Sequence, residues 1–130
     1  MAAILIVEDE AQVLLLAESY LEENGHQTFS ASTSAEALAI LEGEQPIDVL
    51  FTDLGLREEL QAGLELAKSA VERHPGLKVL YTTGQVVTDG MRALFVERSA
   101  MLPKPYSVEQ LLAALTTLGV SHPAQRDPTA

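Results

Sequence analysis

The amino-acid sequence predicts an α/β fold: one doubly wound parallel sheet with helices on both faces. Three observations carry that reading. Short apolar runs such as Ile4 to Val7 have the length and β-branched content of strands buried on both faces. Between them lie segments with apolar residues at helical spacing. The connections are short, so strand and helix alternate along the chain, and right-handed crossovers then make a doubly wound order the natural arrangement.

The elements follow in order. Ile4 to Val7 is the first strand. Ala11 to Glu23 is a helix, with Val13, Leu14, Leu16, Ala17, Tyr20 and Leu21 at helical spacing and Asn24-Gly25 as a left-handed stop. His26 to Ala31 reads as a short strand. Thr33 or Ser34 caps a helix through Glu42, ended by Gly43. Ile47 to Thr52 is the third strand, and Leu60 to Arg73 a helix stopped by His74-Pro75-Gly76. Leu77 to Thr82 is the fourth strand. Asp89 to Arg98 reads as a helix weakened by Gly90 in its first turn. Ala100 to Leu102 is the last strand, and Ser107 caps a final helix through Leu118, with Glu109 or Gln110 completing the cap. Residues 1–120 form the expected domain. Ser121 to Ala130, with two prolines and little apolar surface, reads as a disordered tail.

Composition narrows the function. A chain of 130 residues, 47% hydrophobic and 21% charged, can bury a core of its own. Its formal net charge of -11 repels phosphate backbones, which argues against nucleic acid or an anionic membrane as a direct partner. There is no cysteine, hence no disulfide framework and no thiolate metal site. The apolar run at the N-terminus is too short for a signal peptide or a membrane span, so a cytoplasmic location is expected. No output domain follows the last helix, so the sequence reads as a stand-alone module.

Ligands of a doubly wound sheet bind at the carboxyl ends of its strands, where strand order reverses. Here those ends carry Glu8-Asp9, then Asp53, then Thr82-Thr83, then Lys104-Pro105. Taken singly these are ordinary residues. Acids suit a helix N-terminus, an aspartate suits a turn, and Thr83 before Gly84 opens a loop. Together they gather three carboxylates, hydroxyls and an ammonium in one crevice. Hard oxygen donors of that kind suit Mg²⁺, and a lysine beside them neutralises a phosphoryl oxygen. His26, His74 and His122 have no partners at metal-ligand spacing and receive no role.

This order of strand ends resembles the CheY-like receiver domains of bacterial two-component response regulators, over roughly Ala3 to Leu118. The resemblance implies a flavodoxin-like five-stranded sheet of order 2-1-3-4-5. It implies that Asp53 is the phosphoacceptor, with Thr83 and Lys104 binding the phosphoryl oxygens. It implies Mg²⁺ held by Asp9 and Asp53, by the backbone carbonyl of Gly55, and by Glu8 through water. It implies a cis peptide between Lys104 and Pro105. The partner it implies is a sensor histidine kinase or phosphotransfer protein, with a downstream target protein. It allows a homodimer through the fourth helix, fifth strand and fifth helix, a face expected to include Met91, Phe95, Met101 and Tyr106.

Two departures from the family pattern stand out. Met101 occupies the position three before the lysine that is usually aromatic, and Leu56-Arg57 replaces the common Met-Pro after the acceptor. Competing readings are a receiver-fold interaction module not controlled by phosphorylation, an FMN carrier and a haloacid-dehalogenase-type phosphatase. Glu8-Asp9-Glu10 repels the flavin phosphate and lacks the Asp-x-Asp spacing of the phosphatase.

Overall fold

A computed structural model of the chain describes residues 1–56 and 62–123. The elements run β1 (Ala3–Val7), α1 (Ala11–Glu23), β2 (Gln27–Ala31), α2 (Ser34–Glu42), β3 (Val49–Asp53), α3 (Ala62–Arg73), β4 (Lys78–Thr83), α4 (Asp89–Arg92), β5 (Ser99–Pro103) and α5 (Val108–Thr117). The five strands form one sheet of order β2-β1-β3-β4-β5, and every neighbouring pair is parallel. The expected doubly wound sheet is therefore present, with strand order reversing beside β1. Residues 60 and 61, the expected start of the third helix, lie outside the described residues.

All five residues of β1 and all five of β3 are buried, because helices cover both faces of the sheet. Alternate side chains feed two cores. Leu5, Val7, Leu50, Val79 and Tyr81 pack with Ala37 and Leu41 of α2 and with Leu66, Ala67 and Ala70 of α3. Ile4, Ile6, Phe51 and Leu80 pack with Ala17 and Leu21 of α1 and with Leu111 and Leu115 of α5. Full burial of one such leucine contributes about 1.5–3 kcal/mol, which makes these interdigitated stripes the main cohesion of the layers. Local chemistry sets the helix ends. Thr33 accepts from the Glu36 N–H to open α2. Ser107 and Gln110 form a reciprocal capping box at the start of α5, and Gly25 ends α1 at φ 87°.

The fourth helix is shorter than expected. It ends at Arg92 rather than Arg98, after a single turn. Gly90 weakens it, and the bonds after it tighten to three-residue spacing at Leu94 and Phe95. The Val96 N–H, which a continuing helix would donate to Arg92, is taken by the Tyr81 hydroxyl at 3.2 Å. Arg98 then adopts φ 57°, turning the chain into β5. The expected output face also divides. Met91, Phe95 and Met101 pack on the α2–α3 side of the sheet, whereas Tyr106 packs on the α1–α5 side.

The chain beyond α5 also has contacts that its composition does not reveal. His122 lies in the expected tail, yet its Nδ1 sits 2.8 Å from Nε2 of His26, before β2. Residues 124–130 lie outside the described residues.

Two predictions follow from this packing. A Cβ on Gly63 would lie 2.0 Å from the Asp53 carbonyl oxygen and 2.8 Å from the Leu54 Cα. Both are backbone atoms, and the Gly63 N–H is bonded to the Leu54 carbonyl at 2.9 Å, so neither side yields cheaply. Gly63→Ala is expected to cost at least about 1–3 kcal/mol in urea unfolding; a variant as stable as the parent would show that this approach is not tight. In addition, the amides of Met91 to Phe95 are expected to exchange with solvent much faster than those of Leu111 to Leu115. Equal protection of the two segments would contradict a one-turn α4.

Candidate functional site

Four strand ends meet at the carboxyl edge of the sheet, and backbone bonds hold each one. The Glu8 N–H donates to the Ala31 carbonyl at 3.0 Å, which fixes the end of β1 against β2. Asp53 is the last residue of β3 and pairs with Thr82 of β4. The next amide, Leu54 N–H, donates to the Thr82 carbonyl at 2.9 Å. Thr82 donates its hydroxyl to the Leu102 carbonyl at 2.7 Å, tying β4 to β5. The Lys104 N–H donates to the Thr83 carbonyl at 2.9 Å, and the following Lys104–Pro105 peptide is cis, as the resemblance implied.

The centre of the site is the Lys104 ammonium. Its Nζ lies 2.7 Å from Glu8 Oε1 and 2.8 Å from Asp53 Oδ2. The remaining oxygens are also engaged. Glu8 Oε2 accepts from the Glu10 N–H at 3.1 Å, and Asp53 Oδ1 accepts from the Gly55 N–H at 3.1 Å. Glu8, Asp9 and Asp53 each bring one carboxylate oxygen into a group whose members all lie within 4.8 Å of one another. Glu8 and Asp53 are buried and Asp9 is half-buried at the mouth. Thr83 is buried at the tip of β4, where its Oγ1 accepts from the Gln85 N–H at 3.1 Å. Gly55 is exposed in the bend after Asp53.

Burial and pairing pull the charges in opposite directions. Burial disfavours the Lys104 ammonium, but its bonds to Asp53 and Glu8 outweigh that and hold its pKa above the usual lysine value. Burial raises the Glu8 pKa above the usual carboxylate value, and the bond to Lys104 only partly offsets this. The ammonium is thus firmly charged, and Glu8 is the member that desolvation penalises. Tyr106 lies against Phe51 at a ring separation of 5.7 Å, and burial followed by the nearby Glu8 charge pushes its hydroxyl up to about 12. It serves as packing against the α1–α5 core.

The residues read from the sequence therefore converge: Glu8, Asp9, Asp53, Thr83, Lys104 and Gly55 lie at one edge. Donors of this kind, three hard carboxylates with one lysine balancing part of their charge, fit a divalent cation better than a soft metal. Two participants were not legible in advance. Gly63 allows α3 to press on the backbone that carries Asp53. Tyr81 fills the space under the α4–β5 connection, stacked on Phe95 at 4.3 Å between ring centroids. It pairs across the strands with Met101, so the aromatic ring absent from β5 is supplied by its neighbour β4. An aromatic two residues before Thr83 on a strand was the available signal.

Known proteins show the same combination. The chain resembles a response regulator receiver protein from Sinorhizobium medicae WSM419, with a TM-score of 0.81 and 30% identity over 90% of this chain and 93% of that one. It is 34% identical to the alginate biosynthesis transcriptional regulatory protein AlgB of Pseudomonas aeruginosa, over 90% of this chain and 26% of AlgB. It is 25% identical to the response regulator SaeR of Staphylococcus epidermidis, over 91% of this chain and 50% of SaeR. The chain thus spans half or less of the length of these curated relatives. Residues 4–116 match the response regulator receiver domain, and with the sheet order, the acidic cluster and Lys104 all in agreement, the chain belongs to that family.

Proposed function

We propose that the chain is a phosphorylation-controlled switch of two-component signalling, in which Asp53 accepts a phosphoryl group from a phosphohistidine of a sensor kinase or phosphotransfer protein. The observation that carries this reading is the Lys104 ammonium, held between Glu8 and Asp53 at 2.7 and 2.8 Å. It presents fixed positive charge where a phosphoryl group on Asp53 would place its oxygens.

In the proposed reaction an Asp53 carboxylate oxygen attacks phosphorus as the bond from phosphorus to the imidazole nitrogen breaks. The imidazole leaves and the new carboxyl–phosphate bond forms. Lys104 moves from Asp53 Oδ2 to a phosphoryl oxygen while keeping its bond to Glu8. Thr83 accepts from Gln85, which leaves its own hydroxyl hydrogen to donate to a second phosphoryl oxygen. Asp9, Asp53 and the Gly55 carbonyl are the groups we assign to hold Mg²⁺. Glu8, whose two oxygens are engaged by Lys104 and the Glu10 N–H, supports the ion through water. Bound Mg²⁺ would supply the charge neutralisation that phosphoryl transfer requires. The chain assists only its own phosphorylation and dephosphorylation, so it is not an enzyme acting on other substrates.

A groove of about 440 Å³ beside Lys104 supports docking of a protein donor. It is lined by Val13, Leu16 and Tyr20 of α1 and by Pro105 and Tyr106. Leu15 and Leu16 are more than half exposed next to it, so an apolar helical surface covering α1 would carry its histidine toward Asp53. The signal then leaves through the α4–β5 side, where α4 is a single turn. Such a short helix lends no support to a homodimer through that face. Among the described residues no helix is long and apolar enough to cross a membrane.

Asp53→Asn is expected to abolish the phosphate mass that the parent gains with acetyl phosphate and Mg²⁺, read by intact mass spectrometry. If the parent gains none, the chain is an interaction module; if the variant gains it at the parent's rate, the acceptor is another residue. Mg²⁺ is expected to raise the melting temperature of the parent, adding about 1.4 kcal/mol at ten times its dissociation constant. Asp9→Asn is expected to blunt that gain. In EDTA it should melt no lower than the parent, because it removes one of three clustered negative charges. A parent whose melting ignores Mg²⁺ would remove the metal from the reading.

A further inference from the structure

The amino ends of the strands, opposite the acidic site, carry two imidazoles in series. The Ala2 N–H lies 3.2 Å from His26 Nδ1, and His26 Nε2 lies 2.8 Å from His122 Nδ1. His122 Nε2 lies 2.9 Å from the Leu112 carbonyl and 3.1 Å from the Thr116 hydroxyl, both on α5. The Thr116 hydroxyl hydrogen is itself directed to the Leu112 carbonyl at 2.9 Å. The two rings meet edge to face at 5.1 Å between centroids.

The two ends of this series dictate where every proton sits. A backbone N–H only donates, so His26 Nδ1 is a bare acceptor. A carbonyl only accepts, so His122 Nε2 carries a hydrogen. The link between the rings must then run from His26 Nε2–H to a bare His122 Nδ1. One direction satisfies all the bonds, and it requires both rings to be neutral. A proton added to His26 Nδ1 opposes the Ala2 N–H. A proton added to His122 Nδ1 opposes the His26 N–H. There is no third arrangement.

We propose that the His26–His122 pair is a proton-sensitive clasp that ties the chain leaving α5 to the start of β1, and that acidification opens it. The clasp is the one side-chain tie seen on residues 121–123, and it joins them both to the Ala2–His26 edge and to α5. Gly119 and Val120 close the turn before it by donating to the Thr116 and Leu115 carbonyls. It lies far along the strands from Asp53, so its target is the direction in which the chain continues after α5, not phosphoryl transfer.

The surroundings of His26 favour its neutral form. His26 faces the Met1 amine and the second imidazole. From β4, the Lys78 ammonium lies against Gly119 in the turn that leads to His122. From α5, His122 meets only the Leu112 carbonyl and the Thr116 hydroxyl. Among the described residues, neither ring is bonded to a carboxylate that would hold an imidazolium. Burial first, then His122 and the Met1 amine, lower the His26 pKa below its usual 6.5. A depressed histidine contributes stability that is present above 6.5 and is lost as pH falls through the folded value.

The test uses the whole chain. Imidazole nitrogen NMR near pH 8 should show both His26 and His122 as the single tautomer protonated at Nε2. Backbone heteronuclear NOEs of Val120 to His122 should match those of α5 at about pH 8 and fall to values typical of free chain ends at about pH 5. His122→Ala should show the low values at both pH values. His122→Gln, which keeps an amide donor for the Leu112 carbonyl, should lose the pH dependence. Mixed tautomers, or NOEs that are the same at both pH values in the parent, would overturn the clasp.

Discussion

Lys104 is the interaction on which the carboxyl edge of this sheet depends. Evolution of such a site faces a simple electrostatic problem: Glu8, Asp9 and Asp53 bring three like charges together, and two of them are buried. Like charges in one low-dielectric place disfavour both ionisation and the fold that gathers them. A single ammonium contacting two of the three carboxylates offsets much of that cost. It also explains why the lysine must be aimed so closely. The Lys104 amide is bonded to the end of β4, and prolines on both sides restrict its backbone, so its long side chain reaches back across β4 to β1 and β3. The acids that make the pocket useful and the cation that makes it tolerable thus come from different strands, and only the parallel sheet joins them.

The same edge shows how a family pattern can be kept while its parts are exchanged. With Met101 in place of an aromatic residue, the space between the sheet and the α4–β5 connection is filled by Tyr81 from the adjacent strand. Tyr81 is fully buried, stacks on Phe95 and accepts the Val96 N–H. That hydroxyl takes the amide that α4 would need to continue. The ring that fills this space thus also holds the backbone just beyond the short fourth helix. Thermodynamic softness at this segment follows from the loss of helical bonds, and a thin, weakly bonded segment is the kind of element that a remote charge change can repopulate.

The two edges of the sheet are chemically unlike. One gathers fixed charges and is suited to receive an anion with a cation. The other joins two neutral rings by directional bonds and is suited to respond to protons. The apolar strands between them, with β1 and β3 entirely buried, keep these two chemistries apart.

Much of the fold was legible in the sequence, because burial on both faces makes a parallel strand a continuous apolar run and a two-sided sheet makes its helices amphipathic. The strands, the capping box at Ser107 and the stop at Gly25 are local events encoded by neighbouring residues. The site was legible for a related reason: chemistry in such a sheet sits where strands end, so Glu8, Asp9, Asp53, Thr83 and Lys104 are found by counting from apolar runs. Other features depend on pairs of residues distant in sequence. The Val96 amide, which a longer α4 would use, is captured by Tyr81, 15 positions away. The close approach at Gly63 is decided by the backbone of β3. The partner of His26 is 96 residues away, and no spacing rule connects a ring before β2 with one after α5. Sequence alone determined where the strands and helices lie, the end of α4 excepted, and which chemistry-bearing residues stand at the strand ends. Tertiary structure decided which of those ends touch, because a hydrogen bond or an ion pair depends on separation in space, and that separation exists only once the layers have packed.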